Sequence, residues 1–162
     1  MKNHGLLVED MKFVTGLAPI TPSSSTPDYV SLKNYQHFTA VILCDNATTV
    51  TGSAITLKQA TAVAGTGEKA LSFSFVWANT DTAAGDTLTK TAVTSDTFTT
   101  DATDAKNLMY VIEVDASSLD LANGFDCIRV GTGNATASVV SVCYILSNSR
   151  FSAATPPAAI TD

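Results

Sequence analysis

The sequence predicts an all-β protein, an antiparallel β-sandwich of jelly-roll type preceded by an extended N-terminal arm. Three observations carry that expectation. Thr, Ala and Ser supply 61 of the 162 residues, a small and partly β-branched composition that suits pleated sheets. From Tyr29 onward, apolar residues come in short runs that alternate with polar ones or stand unbroken, each bounded by Gly, Asn, Asp or Thr clusters. No ten-residue amphipathic helix pattern separates these runs, which argues for two packed antiparallel sheets and against βαβ units.

Taken in order, residues 1–28 show no sustained period. Pro19, Pro22 and Pro27 bracket the run Ser23-Ser24-Ser25-Thr26, which predicts an arm or linker outside the sandwich. Leu6, Leu7, Val8, Phe13, Val14, Leu17 and Ile20 give this arm more apolar surface than a free tail should expose, so they are the candidate partner-binding residues. Residues 29–148 form the β-sandwich domain, with eight strands expected at 29–35, 38–44, 53–60, 70–77, 87–93, 108–114, 126–130 and 137–146. Leu71, Phe73, Phe75 and Trp77 share one face by alternation, as do Leu108, Tyr110, Ile112 and Val114. The expected core therefore includes Phe73, Phe75, Tyr110, Ile112, Val140 and Val142. Gly65-Thr66-Gly67 and Asn79-Thr80-Asp81 read as turns, and Gly131-Thr132-Gly133-Asn134 as a hairpin tip. Asp115 to Asp120 reads as one helical turn ended by Asn123-Gly124. Residues 149–162, with Pro156-Pro157, are expected as a polar C-terminal tail on the surface.

Nine Lys and Arg against fifteen Asp and Glu give a formal charge of −6, which repels a phosphate backbone, so no nucleic-acid partner is expected. Leu6 to Val8 is interrupted by Glu9, Asp10 and Lys12 before a signal-peptide core forms, and Val139 to Leu146 is too short to span a bilayer. No membrane partner is expected, and synthesis is expected in the cytoplasm. Cys44, Cys127 and Cys143 sit in apolar runs without a C-x-x-C pair, which reads as reduced structural thiols. Asn46-Ala-Thr and Asn134-Ala-Thr match the glycosylation pattern but read as polar turns.

The search for chemistry is mostly negative. No nucleophile elbow or zinc motif is present, and the two histidines stand 33 positions apart. Gly65-Thr-Gly-Glu-Lys-Ala is too short for a phosphate loop and has Ala70 where a magnesium-binding hydroxyl belongs. His37 reads as a packed or surface histidine. Asp96, Asp101, Asp104 and Asn107 could offer oxygen ligands to Ca²⁺ but lack a calcium-loop pattern, and a solvated loop is the simpler expectation. Trp77 could stack on a sugar, yet its alternation with Phe73 and Phe75 favours the core. The expectation is thus no catalytic, cofactor or metal site, and no enzyme.

Four stretches, Tyr29-Val-Ser-Leu-Lys-Asn-Tyr, Val50-Thr-Gly-Ser-Ala-Ile-Thr-Leu-Lys-Gln-Ala, Phe75-Val-Trp-Ala-Asn-Thr-Asp and Tyr110-Val-Ile-Glu-Val-Asp-Ala-Ser-Ser-Leu-Asp, together resemble small virion structural proteins of tailed bacteriophages. Within that group an acidic β-domain with a terminal arm is similar to capsid decoration, or cement, proteins. The resemblance implies the outer capsid surface as location, the major capsid protein as partner, and a homo-oligomer, dimer or trimer. A tail or baseplate accessory or receptor-binding protein, and a carbohydrate-binding β-sandwich module, are the alternatives.

Overall fold

The computed structural model describes residues 6–24, 26–151 and 155–160. The chain is nearly all β, and its strands form two antiparallel sheets packed as a sandwich. A single helical turn, α1 (Leu7–Asp10), leads into β1 (Lys12–Ile20). There follow β2 (Val30–Ser31), β3 (Tyr35–Asn46), β4 (Ala54–Ala60), β5 (Lys69–Ala70), β6 (Phe75–Asn79), β7 (Thr89–Ala92), β8 (Thr97–Thr99), β9 (Asn107–Asp115), β10 (Cys127–Gly131) and β11 (Ser138–Ser149). The large sheet has the order β1-β11-β3-β9-β6-β7. The small sheet runs β2-β10-β4-β5, with β8 also paired to β4. The chain goes out as β1 to β4, alternating between the sheets. It returns as β8 to β11, each returning strand lying beside an outgoing one.

Between the sheets, Tyr35, Phe38, Ile42, Ile55, Leu57, Leu108, Ile112, Ile128, Tyr144 and Leu146 are fully buried, the apolar half of the alternation doing what period-2 patterning requires. Three tyrosines fill core volume and keep their hydroxyls bonded, since an unpaired buried O–H is costly. Tyr144 on the large sheet accepts from the Val130 N–H of the small sheet (3.1 Å), Tyr110 accepts from Asp101 N–H (2.7 Å), and Tyr35 donates to the Pro157 carbonyl (2.5 Å). Buried Asn46 is satisfied likewise, donating to the Asp101 and Thr103 carbonyls and accepting from the Ser138 hydroxyl.

Four expectations are corrected. First, residues 1–28 are not wholly outside the sandwich, because residues 12–20 form β1, paired along β11 from Lys12↔Leu146 to Ile20↔Val140. Pro19 is compatible with this because β1 is an edge strand, where a missing donor costs no ladder bond, and the register shifts between Leu17 and Ile20. Second, Phe75 is 44% exposed while Phe73 is buried. The alternation resets at Ser74, whose carbonyl accepts from Val93 N–H, so β6 turns Val76 inward and Phe75 and Trp77 outward. Tyr110, Ile112, Val140 and Val142 are buried as expected. Third, Gly131 to Asn134 is no hairpin tip, since it carries the chain from β10 in the small sheet to β11 in the large one. Gly133 there has φ +67°, and an added Cβ would lie 2.8 Å from the backbone of Ala54. Fourth, the tail is not merely surface: Ala159 is buried and its carbonyl accepts from Ser31 N–H (2.6 Å), closing the outer edge of β2.

The loop expectations at 65–67 and 115–124 hold. The β4–β5 hairpin turns through Gly65 and Gly67, both at positive φ. Residues 116–118 and 121–123 are single 3-10 turns, the second ended by Gly124 in the left-handed region.

Candidate functional site

Paired residues in an antiparallel sheet point to the same side, so the register alone assigns each outward side chain of the large sheet. Across its strands the outer rows read Phe13–Ile145–Thr39–Glu113, Thr15–Cys143–Val41–Val111–Trp77–Lys90, and Ser141–Leu43–Met109–Asn79. Val139 pairs with Asp45 and Phe75 with Ala92 on the same side. Six strands at about 4.8 Å spacing make this face ~24 Å wide. Leu43 (44% exposed), Val139 (41%) and Phe13 (39%) stand out from it, while Val41, Val111 and Cys143 in its central row are half-buried. At one margin α1 adds Leu6, Leu7 and Val8, all strongly exposed. At the other margin, Lys90 Nζ lies 3.8 Å from the centre of the Phe75 ring and 5.3 Å from that of Trp77.

The candidate arm residues divide accordingly. Leu6, Leu7, Val8 and Phe13 are exposed and available to a partner. Val14 and Ile20 pack against the core, and Leu17 is buried in it, so these three belong to the fold. Trp77 is brought to the outer face with Phe75, not into the core. The exposed Leu43 and Val139, toward one end of this face, were not singled out by sequence reasoning. Their signal was the unbroken apolar character of 40–44 and the mostly apolar run 139–146, interrupted only at Ser141, which marks strands largely apolar on both faces.

The opposite outer face, on the small sheet, is closed by its own chain. Tyr29, Ala60 and Cys127 make a second small cluster with Val63 from the β4–β5 loop packed on it. Beside it Glu68 accepts from Arg129 Nη2 (2.6 Å) and Nε (3.1 Å), from the Tyr29 hydroxyl (2.7 Å), and from Lys58. Burial alone would raise the Glu68 pKa, but the hydrogen bonds from Lys58, Tyr29 and Arg129 outweigh it and carry the carboxyl to about 2. Tyr29 is pushed up to about 12, by burial first and by its bond to Glu68 second.

The remaining candidates for chemistry are dispersed. His37 bonds Asp115 through Nδ1 (2.9 Å) with Glu113 3.5 Å from Nε2, a surface cluster at the corner of the large sheet with no nucleophile in it. Asp101 and Asp104 spend carboxylate oxygens on the N–H groups of Thr103 and Val50, and no group of three metal-ligating side chains occurs among the described residues. Cys44 and Cys143 are free thiols, and burial pushes Cys44 up to about 12, which makes it a poor nucleophile.

No family model matches the chain, and no curated protein matches it. Among solved structures, that of the SPBc2 prophage-derived protein YomS is similar with a TM-score of 0.45 and 14% sequence identity, over 86% of this chain and 94% of that one. It is a distant likeness. The chain contains no helix long and apolar enough to cross a membrane among the described residues.

Proposed function

We propose that this chain is a structural protein of a tailed-bacteriophage particle, one that binds the outside of the head across neighbouring capsomers and stabilises it. The observation that carries this is the bare apolar face of the large sheet, with Leu43, Val139 and Phe13 exposed on a rigid platform. The resemblance of the four quoted stretches to small virion proteins supplies the setting. A ligand that binds the assembled shell and not the free subunit stabilises the shell by mass action, so many weak contacts suffice and no catalytic group is needed. The acidic balance suits a position away from packaged DNA.

Heads lacking the protein, incubated with the full chain, test the proposal. Copies in the hundreds located on the outer surface by electron microscopy are expected, and Leu43→Asp with Val139→Asp should weaken binding at least about tenfold, because each puts a charge into an apolar contact. No binding of the unchanged protein, or equal occupancy by the variant, overturns it. A second use of the same face, glycan binding, is favoured by the outward Phe75 and Trp77 rings. A glycan panel decides that alternative: binding lost in Trp77→Ala supports it, and no binding removes it.

A further inference from the structure

Beside β1 lies a groove of about 790 Å³ lined by residues 12–15, by Asp28, Tyr29 and Val63, and by Ala158 and Ile160 near the C-terminal end. Residues 12–15 pair with β11 in unbroken register on their inner side. Their other backbone edge meets no strand among the described residues, whereas from Gly16 onward the edge is closed by Asp28, whose N–H donates to the Gly16 carbonyl (2.9 Å). An open edge in an apolar-walled groove is a template for one more strand.

The chain itself carries a segment suited to that template. Leu6, Leu7 and Val8, immediately before β1, are 69%, 59% and 63% exposed. They are held in α1 by two backbone bonds, Glu9 N–H to the Leu6 carbonyl and Met11 N–H to the Leu7 carbonyl, and α1 buries no residue. One isolated turn has almost no stability of its own, so opening it costs little.

We propose that two copies of this chain associate by pairing residues 6–15 of each antiparallel about a two-fold axis between Asp10 and Met11, each laying its Leu6 to Glu9 segment in the other's groove. This register sets Leu6 opposite Thr15, Leu7 opposite Val14, Val8 opposite Phe13 and Glu9 opposite Lys12. The apolar pairs and the ion pair all occur twice by symmetry, as an isologous interface requires. Sliding the pair one or two residues one way sets acid against acid; sliding it the other way by one residue pairs Asp10 with Lys12 but sets Glu9 against the Phe13 ring, and by two residues leaves no ion pair, so the register that keeps both acids off the apolar side chains of β1 and pairs Val8 with Phe13 is favoured. The association belongs to the isolated protein and stands or falls independently of any head.

Sedimentation of the full chain over a concentration series tests it. The unchanged protein is expected to dimerise. Glu9→Lys alone sets lysine against lysine at both ends of the interface, and Lys12→Glu alone sets glutamate against glutamate. Each should weaken dimerisation about tenfold or more, from two attractive pairs turned repulsive. An equimolar mixture of the two variants restores opposite charges at both ends and should associate within about threefold of the unchanged protein. A monomer at the highest soluble concentration, variants that associate like the unchanged chain, or a mixture no tighter than its components would each overturn the proposal.

Discussion

The two outer faces of the sandwich differ in what covers them. The small sheet folds its β4–β5 loop back over itself, so that Val63 packs on Tyr29, Ala60 and Cys127, and Glu68 gathers Tyr29, Lys58 and Arg129. The large sheet, wider and more apolar at its centre, has no such loop, and Leu43 and Val139 meet water. Both faces are built from the same strand chemistry, and both sheets carry a hairpin loop of similar length, so the difference is one of where the loop lands. The β4–β5 loop, 61–68, packs Val63 over the small sheet, while the β6–β7 loop, 80–88, is tied to Lys106 and Asn107 at the start of β9. The protein covers one face with its own loop and leaves Leu43 and Val139 of the other exposed.

The largest effect should come from the interior that both faces share. Phe38 is fully buried with its ring 5.1 Å from that of Tyr144, and Phe38→Ala is expected to cost about 3–5 kcal/mol in urea unfolding. A loss below about 1 kcal/mol would mean that the interior is not the common support of the two faces. Next comes the covered face. Arg129 has an 11% exposed side chain, two bonds to Glu68 and the Tyr29 ring at 5.1 Å, so Arg129→Ala should cost about 2 kcal/mol. If the unfolding midpoint does not move, the network on the small sheet is ornament to the loop packing.

A smaller effect follows from pH. The folded Glu68 carboxyl titrates at about 2, below its ordinary 4.5, so its contribution is fully present above pH 4.5 and is lost as pH falls toward 2. Because Glu68 is partly exposed, solvent screening holds this contribution to about 1 kcal/mol. Unfolding measured between pH 5 and pH 2 should therefore show a shallower loss for Glu68→Gln than for the unchanged chain, and identical slopes would contradict the assignment. The smallest effect belongs to the bare face. Phe75→Ala should cost less than about 1 kcal/mol, since the ring gives up only half-exposed area and its contact with Lys90. A cost of 3 kcal/mol would show that the face is covered after all.

The fold class and most strands were legible in the sequence because alternation is a local signal, and Leu108 to Val114 obey it along the whole of β9. β1 was not legible: Pro19 and Gly16 break its period, and only the partner β11, far along the chain, makes it a strand. Phe75 was misplaced because alternation counted through Ser74 assumes one continuous strand, whereas β6 begins at Phe75 after a reset set by Val93 and Ser95. The bare face was half legible. The apolar runs at 40–44 and 139–146, the second broken only at Ser141, announce burial on both sides, and the chain supplies cover on one. No sequence pattern states which side is left open, since that depends on where a distant loop lands.

The pairing of β1 with β11 joins the first strand of the chain to the last. During synthesis Lys12 to Ile20 emerge more than a hundred residues before their neighbour, Ser138 to Ser149. Neither β1 nor β3 can take its place beside β11 until then, so the large sheet cannot be completed as its first strands emerge. For that interval Leu17 and the inner side of β3 wait without their partner, and nascent chains on one messenger stand close enough to trade strands. A chain truncated before Ser138 should accordingly leave β1 without a place in the large sheet, where a protein of local hairpins would still fold its first half.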